Sequence, residues 1–199
     1  MPEPLILASA SSARAALLRA AGVRFEIEPA EIDEARIKRL ARVTGDTAIA
    51  CALALAVEKA RAVSARNPGA VVIGADQILV AGEEWFDKPA DREEARAQLR
   101  RLRGRAHVLA TAACAIADGT VLWRATSEPE LTMRSFSDGF LEDYTAAEGQ
   151  VLLGSVGAYR LEGRGVQLFS RIAGDYFAIL GLPLLELLDF LRTRGVVPR

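Results

Sequence analysis

Val71-Val72-Ile73-Gly74-Ala75-Asp76-Gln77 is the stretch on which the reading of this chain turns. Three apolar β-branched residues predict a covered strand at 71–73. Gly74 lets another group approach the backbone closely. Asp76 then stands at the exit of the strand. In an open α/β sheet, ligands gather at the carboxyl ends of strands. A carboxylate there is costly to bury unless a cation or a hydrogen-bond donor meets it. A lone Asp in such a place is more often a turn or cap residue. The chemistry therefore depends on what the rest of the chain brings to it.

The composition narrows the choice. With 199 residues, 51% of them hydrophobic, the chain has ample material for one core, and a single domain over 1–199 is expected. The net charge of −1 supplies no global basic field, so nucleic acid is not an expected partner and any anion site must be local. One histidine, His107, excludes a His-rich zinc site, and its place at the start of an apolar strand predicts a structural hydrogen bond. A hydrolase built on His107 lacks the Gly-x-Ser-x-Gly elbow, and a P-loop kinase lacks Gly-x4-Gly-Lys-Ser/Thr. Cys51 and Cys114 form no metal or redox motif and read as buried thiols. Those two thiols point to a reducing cytoplasm; the N-terminal apolar run is too short for a signal peptide and no stretch is long enough to cross a bilayer, so a cytoplasmic protein without a membrane partner is expected.

Read along the chain, Leu5 to Ala8 is a short buried strand and Ala13 to Ala21 a helix stopped by Gly22. Val23 to Ile27 is a further strand candidate, and Pro29 to Gly45 reads as polar and irregular. Asp46 or Thr47 caps a helix from Ala48 to about Arg66, ended by Asn67-Pro68-Gly69. After a hairpin near Ala81-Gly82 comes a charged helix, Arg92 to Arg103. Strands follow at Val108 to Ala117, at Val121 to Ala125 across the Asp118-Gly119 turn, and at Leu131 to Phe136. Ser137 caps a helix to about Ala147. Ser155 to Leu161 and Val166 to Ile172 read as strands around a Gly-rich turn, and Pro183 opens a last helix, Leu184 to Arg194. Strands and helices without strict alternation predict an α/β fold with a mixed sheet.

Three groups of residues could carry chemistry. The loop Ser9-Ala10-Ser11-Ser12 leaves a strand and enters a helix whose start offers unpaired N–H groups, and Arg14 adds a cation. Such serines are more often simple caps. Lys59 and Lys88 are each a solvated lysine by default, but with Arg14 they suit a polyanion. Glu31, Asp33 and Glu34 form an acidic run, and one of them with Asp76 could hold magnesium beside phosphate oxygens.

The ordered set of motifs resembles the Maf family of nucleotide pyrophosphatases. The carriers are Leu7-Ala8-Ser9-x-Ser11-x-x-Arg14-x-x-Leu17-Leu18, Glu58-Lys59-Ala60, Gly74-Ala75-Asp76-Gln77 and Lys88-Pro89. They continue with Leu102-x-Gly104-x-x-His107-Val108, Gly157-Ala158-Tyr159-x-x-Glu162-Gly163, Gly174-Asp175-Tyr176 and Gly181-Leu182-Pro183-Leu184. The resemblance implies an inosine-triphosphatase-like fold, a mixed twisted sheet flanked by helices with a cleft between two lobes. It implies hydrolysis of a nucleoside triphosphate between the α and β phosphates with a divalent cation, Mg²⁺, as cofactor. A homodimer is common in the family.

The resemblance also implies residue roles. Asp76 would be the catalytic acid and, with Glu34, the metal ligand pair; Lys59 and Lys88 would be catalytic lysines; Ser9, Ser11 and Arg14 would bind phosphate. Ala13, Gln77 and Glu162 fall on positions linked to base selection. Where the family usually reads Ser-x-Ser-Pro-Arg-Arg, this chain has Ser12 and Ala13, which touches substrate choice more than catalysis. Gln77 with Glu162 matches the branch that prefers 7-methyl-guanosine triphosphate, and a carboxylate can accept two parallel N–H bonds from guanine. Broad triphosphate specificity is the wider expectation. The competing readings are a nucleotide-binding regulator of cell division, after the family's association with septum formation, and a different phosphoryl enzyme.

Overall fold

The computed structural model describes residues 3–198. In chain order its elements are β1 (Leu5–Leu7), α1 (Ser12–Ala20), β2 (Glu26–Ile27), α2 (Glu34–Thr44), α3 (Ala48–Ser64), β3 (Val71–Ala81), β4 (Glu84–Phe86) and α4 (Arg92–Leu102). Then come β5 (Ala106–Ala117), β6 (Thr120–Ser127), β7 (Glu130–Met133), α5 (Asp138–Glu148), β8 (Phe169–Ala173), α6 (Tyr176–Ile179) and α7 (Leu184–Thr193). They belong to two compact units. One takes the chain up to Gln77, Ala110–Ser127 and everything from Asp175 on; the other takes Ile78–Leu109 and Glu128–Gly174.

In the first unit the strand order is β2-β1-β3-β5-β6. β1 pairs in parallel with β2 and β3, while β5 pairs antiparallel with β6, so the sheet is mixed. Alternation along the strands sorts the core into two faces. Leu5, Leu7, Val71, Ile73 and Ala75 pack with Ala15 and Leu18 of α1 and Leu184, Leu187 and Leu191 of α7. Ile6, Ala8 and Val72 pack with Ala56, Ala60 and Val63 of α3. Helices thus flank the sheet on both faces. Gly74 continues the α3-facing row: a Cβ there would lie 2.0 Å from the Ala56 carbonyl oxygen. Only glycine lets α3 come that close.

Asp76 lies inside β3, not at its exit, because the strand continues to Ala81. The carboxyl end nearest it belongs to β1, whose ladder closes with Ala8 N donating to Ile73 O at 2.8 Å. Beyond that bond β1 departs into the serine loop and β3 runs on without it. Residues 34–44 form α2 where an irregular stretch is expected from sequence. Asp33 caps it by accepting from Arg36 N, and Gly45 ends it with a left-handed backbone. The helix escapes sequence reading because it buries only Ala41, and Leu40 and Val43 face outward. Thr47, not Asp46, caps α3. The strand expected over Val23 to Ile27 shrinks to Glu26–Ile27. Among the described residues, no helix is long and apolar enough to cross a membrane.

In the second unit β4 folds back antiparallel on the end of β3, and the start of β5 pairs with β7, which pairs with β8. Ser155 to Leu161 is not a strand. Residues 149–154 and 156–158 form 3₁₀ turns, and Gly157 and Ala158 take φ values of 77° and 56°, outside the extended region. Residues 164–168 make another 3₁₀ turn before β8. His107 is buried, with Nε2 2.8 Å from the Tyr159 hydroxyl and its ring beside Tyr159 and Phe169. This is the structural hydrogen bond expected of it. Cys51 and Cys114 are buried free thiols.

Burial pushes His107 down to about 4, because the imidazolium would lose its hydration. The unfolded chain takes up the proton near 6.5 and the folded chain does not until about 4. This contribution to stability is complete above pH 6.5, is lost as the pH falls toward 4, and is flat below. The loss should be on the order of 3 kcal/mol. Urea unfolding of wild type and His107→Phe from pH 7.5 to 4 tests it: the difference between the two curves should slope in that window, and parallel curves refute the assignment.

Candidate active site

The site grows from the alternation of β3. Val72, Gly74 and Asp76 share the face packed on α3, and small residues on α3 let the helix sit close. Lys59 lies on α3 one turn from Ala56 and two from Ala52, on the same buried stripe. Its ammonium therefore arrives at Asp76: Lys59 Nζ is 2.5 Å from Asp76 Oδ1 and 2.8 Å from Glu34 Oε1. Asp76 and Lys59 are 6% and 9% exposed, which makes the pair a buried one. Glu34, the first residue of α2, is about half exposed and closes the carboxylate pair from the solvent side. The helix that sequence reading missed is the element that delivers it. Asp33 is consumed as the cap of α2. Glu31 is exposed.

The serine loop brings a second cation. Ser11 caps α1 by accepting from Arg14 N. Ser9 Oγ accepts from Ser11 N at 3.2 Å and from Arg14 Nη1 at 3.0 Å. Arg14 Nε donates to Gly181 O at 2.8 Å. The guanidinium is buried, and burial pushes it below its ordinary value while Asp76 and Glu34 pull it back up. Two carboxylates and two cations thus form one balanced cluster on the first unit. Ala13, at the second position of α1, is half-buried and adds no functional group.

Gln77 points to the opposite face of β3 from Asp76, by the same alternation. Its Nε2 donates to Thr111 Oγ1 at 2.8 Å and lies 2.9 Å and 3.2 Å from the carbonyls of Ala178 and Ile179 on α6. Thr111 also donates to Ala178 O, at 3.0 Å. Sequence reading missed Thr111, although a hydroxyl inside the apolar run of β5 was the available signal. Asp175 caps α6 by accepting from Phe177 N and Ala178 N.

Lys88 and Glu162 lie on the second unit. Lys88 is exposed in a loop pinned on both sides, by Gln98 Nε2 donating to Asp87 O and Ala90 N donating to Glu94 Oε2. Glu162 accepts from Arg160 Nε at 3.0 Å.

Among the described residues, no group of three or more His, Cys, Asp or Glu gathers to hold a metal. Asp76 and Glu34 nonetheless share a single cationic atom, and both offer hard oxygen donors. Magnesium is commonly held through one or two carboxylates with water and substrate phosphates completing its shell. The donor set fits that mode and not an all-protein cage.

The profile of the family described as Maf-like protein matches residues 4–194. A protein of Granulibacter bethesdensis named nucleoside triphosphate pyrophosphatase is 55% identical over 188 residues, 94% of this chain and 95% of its own. A protein of Paramagnetospirillum magneticum with the same name is 50% identical over 190 residues, 96% of this chain and 98% of its own. A protein of Mesorhizobium japonicum named 7-methyl-GTP pyrophosphatase is 48% identical over 197 residues, 99% of each chain.

Lys59→Met should leave Asp76 buried without its neutralising cation and lower stability by about 3–5 kcal/mol. Adding Asp76→Asn to that variant should recover most of the loss, because the uncompensated charge is then gone. Urea midpoints at pH 7.5 read both effects; a Lys59→Met protein as stable as wild type would show that Asp76 does not depend on Lys59.

Proposed function

The chain belongs to the Maf-like protein family, and from that premise we propose that it is a nucleoside triphosphate pyrophosphatase. It hydrolyses the bond between the α and β phosphates and releases a nucleoside monophosphate and pyrophosphate, with both compact units acting as one pyrophosphatase domain. The observation that carries this reading is the buried Asp76 carboxylate, bridged through Lys59 to Glu34 with the Arg14 guanidinium nearby. A site for an apolar ligand has no use for four buried or half-buried charges.

In this reading Asp76 and Glu34 would hold a divalent cation, which when bound would neutralise phosphate charge and acidify a water. Asp76 orients the attacking water and accepts its proton. Arg14 and Lys59 neutralise the charge that grows on the phosphate oxygens, in a site where low exposure makes each cation count for more than in water. The start of α1 with Ser9 and Ser11 adds hydrogen-bonding groups for a phosphate oxygen. Lys88 as a further catalytic cation and Glu162 as a base-reading carboxylate rest on the family resemblance alone.

A second reading narrows the substrate to 7-methyl-GTP. The name of the Mesorhizobium relative favours it, and Gln77 with Glu162 marks the same branch by resemblance, without Gln77 itself having to touch the base. Ala13 stands against it, because a small residue cannot stack on a cationic base.

Pyrophosphate release from a panel of nucleoside triphosphates, with and without Mg²⁺, is the direct test. Turnover should require the cation, and Asp76→Asn should lower kcat by ~10²-fold or more. Near-normal turnover by that variant would remove Asp76 from the chemistry. Faster hydrolysis of dTTP than of any guanine nucleotide would overturn the guanine reading.

A further inference from the structure

Gln77 and Arg14 meet at one short backbone segment. The Ala178 carbonyl accepts from three donors: Gln77 Nε2 at 2.9 Å, Thr111 Oγ1 at 3.0 Å and Gly181 N at 2.9 Å. Gly181 in turn offers its carbonyl to Arg14 Nε at 2.8 Å. A continuous run of hydrogen bonds therefore links the residue after Asp76 to the buried guanidinium. Gly181 is a constrained member of this run. Its φ of +97° suits glycine, and a Cβ there would lie 3.1 Å from Arg14 Nε. Ser9 fixes the guanidinium from the other side through Nη1.

This arrangement leaves the Gln77 amide nitrogen little to offer a substrate. Its two N–H groups already have three acceptors within 3.2 Å. Its direction is also set by β3, which turns Gln77 away from the face that carries Asp76 and Lys59. A side chain placed this way is suited to hold backbone.

We propose that Gln77 is a positioning residue that sets the orientation of Arg14 through the Ala178 carbonyl and Gly181, and so tunes affinity for the phosphate chain whatever base it carries. The inference rests on the reading in which Arg14 meets the phosphates. Thr111 shares the role from β5. Together they tie the strand that carries the catalytic carboxylate to the cation that receives the phosphates, so that the two keep a common geometry.

The probe is inorganic tripolyphosphate, which has no base. Its binding to the full chain with Mg²⁺ is measured by calorimetry, beside KM and kcat for several nucleoside triphosphates. Gln77→Met should weaken tripolyphosphate about tenfold and raise KM for every nucleotide by a similar factor, the scale of one to two buried hydrogen bonds. Thr111→Val, which keeps the side-chain shape, should act in the same direction and serves if Gln77→Met folds poorly. In an Arg14→Lys background, Gln77→Met should cost little more, since coupled residues are not additive. Unchanged tripolyphosphate binding with altered ratios among the bases would overturn the proposal and make Gln77 a base reader. Additive losses with Arg14→Lys would overturn it as well. If Arg14→Lys alone binds tripolyphosphate like wild type, the phosphate role of Arg14 fails first and the positioning role falls with it.

Discussion

The buried ion pair between Asp76 and Lys59 is the constraint around which the first unit is arranged. A carboxylate in the middle of a covered strand is tolerable only if a cation reaches it without water. That cation must come from the element packed on the same face of the sheet, which is α3. A lysine on a helix meets a short acid on a strand when both point into the same helix–sheet gap, as Lys59 and Asp76 do. Gly74 opposite the Ala56 carbonyl, with Ala60 beside it, lets α3 lie close against that face. The same small residues that seat α3 on β3 leave the charge pair buried beneath the helix.

Once Asp76 is fixed, the ends of neighbouring elements fall around it. β1 is only three residues long and stops at Leu7, so the serine loop opens beside β3 instead of continuing the ladder. α1 starts there and lays Arg14 into the cluster, and α2 starts with Glu34 on the other side of Lys59. Two negative and two positive groups then compensate one another. Each of these charges sits among oppositely charged or polar groups of the same unit, which is what makes its burial tolerable.

The two faces of β3 divide the labour. Asp76 turns toward α3 and the charges; Gln77 turns the other way and binds the carbonyls of α6. One residue step along a strand separates the charge cluster from the hydrogen bonds to α6. The strands and their apolar faces were legible in the sequence because they are local patterns: Leu5 to Leu7, Val71 to Ile73 and the long run of β5 announce themselves. α2 was not, since a helix that buries one alanine has no apolar stripe to read. Ser155 to Leu161 misled for the opposite reason. It is apolar enough for a strand, but the left-handed backbone at Gly157 and Ala158 folds it into turns that only the packing around Tyr159 specifies.

The sequence by itself determined which side chains the proposed chemistry draws on, the serine loop, Arg14, Lys59 and Asp76 among them, and that no P-loop motif stands beside them. It could do so because those residues sit in short motifs whose residue types have few other uses together. Only the tertiary structure decided which of them meet. Lys59 and Asp76 are seventeen positions apart, and Arg14 and Gly181 are 167 apart. Their contact depends on which helix face packs on which sheet face and where a three-residue strand ends, and those are relations between elements that no local pattern encodes.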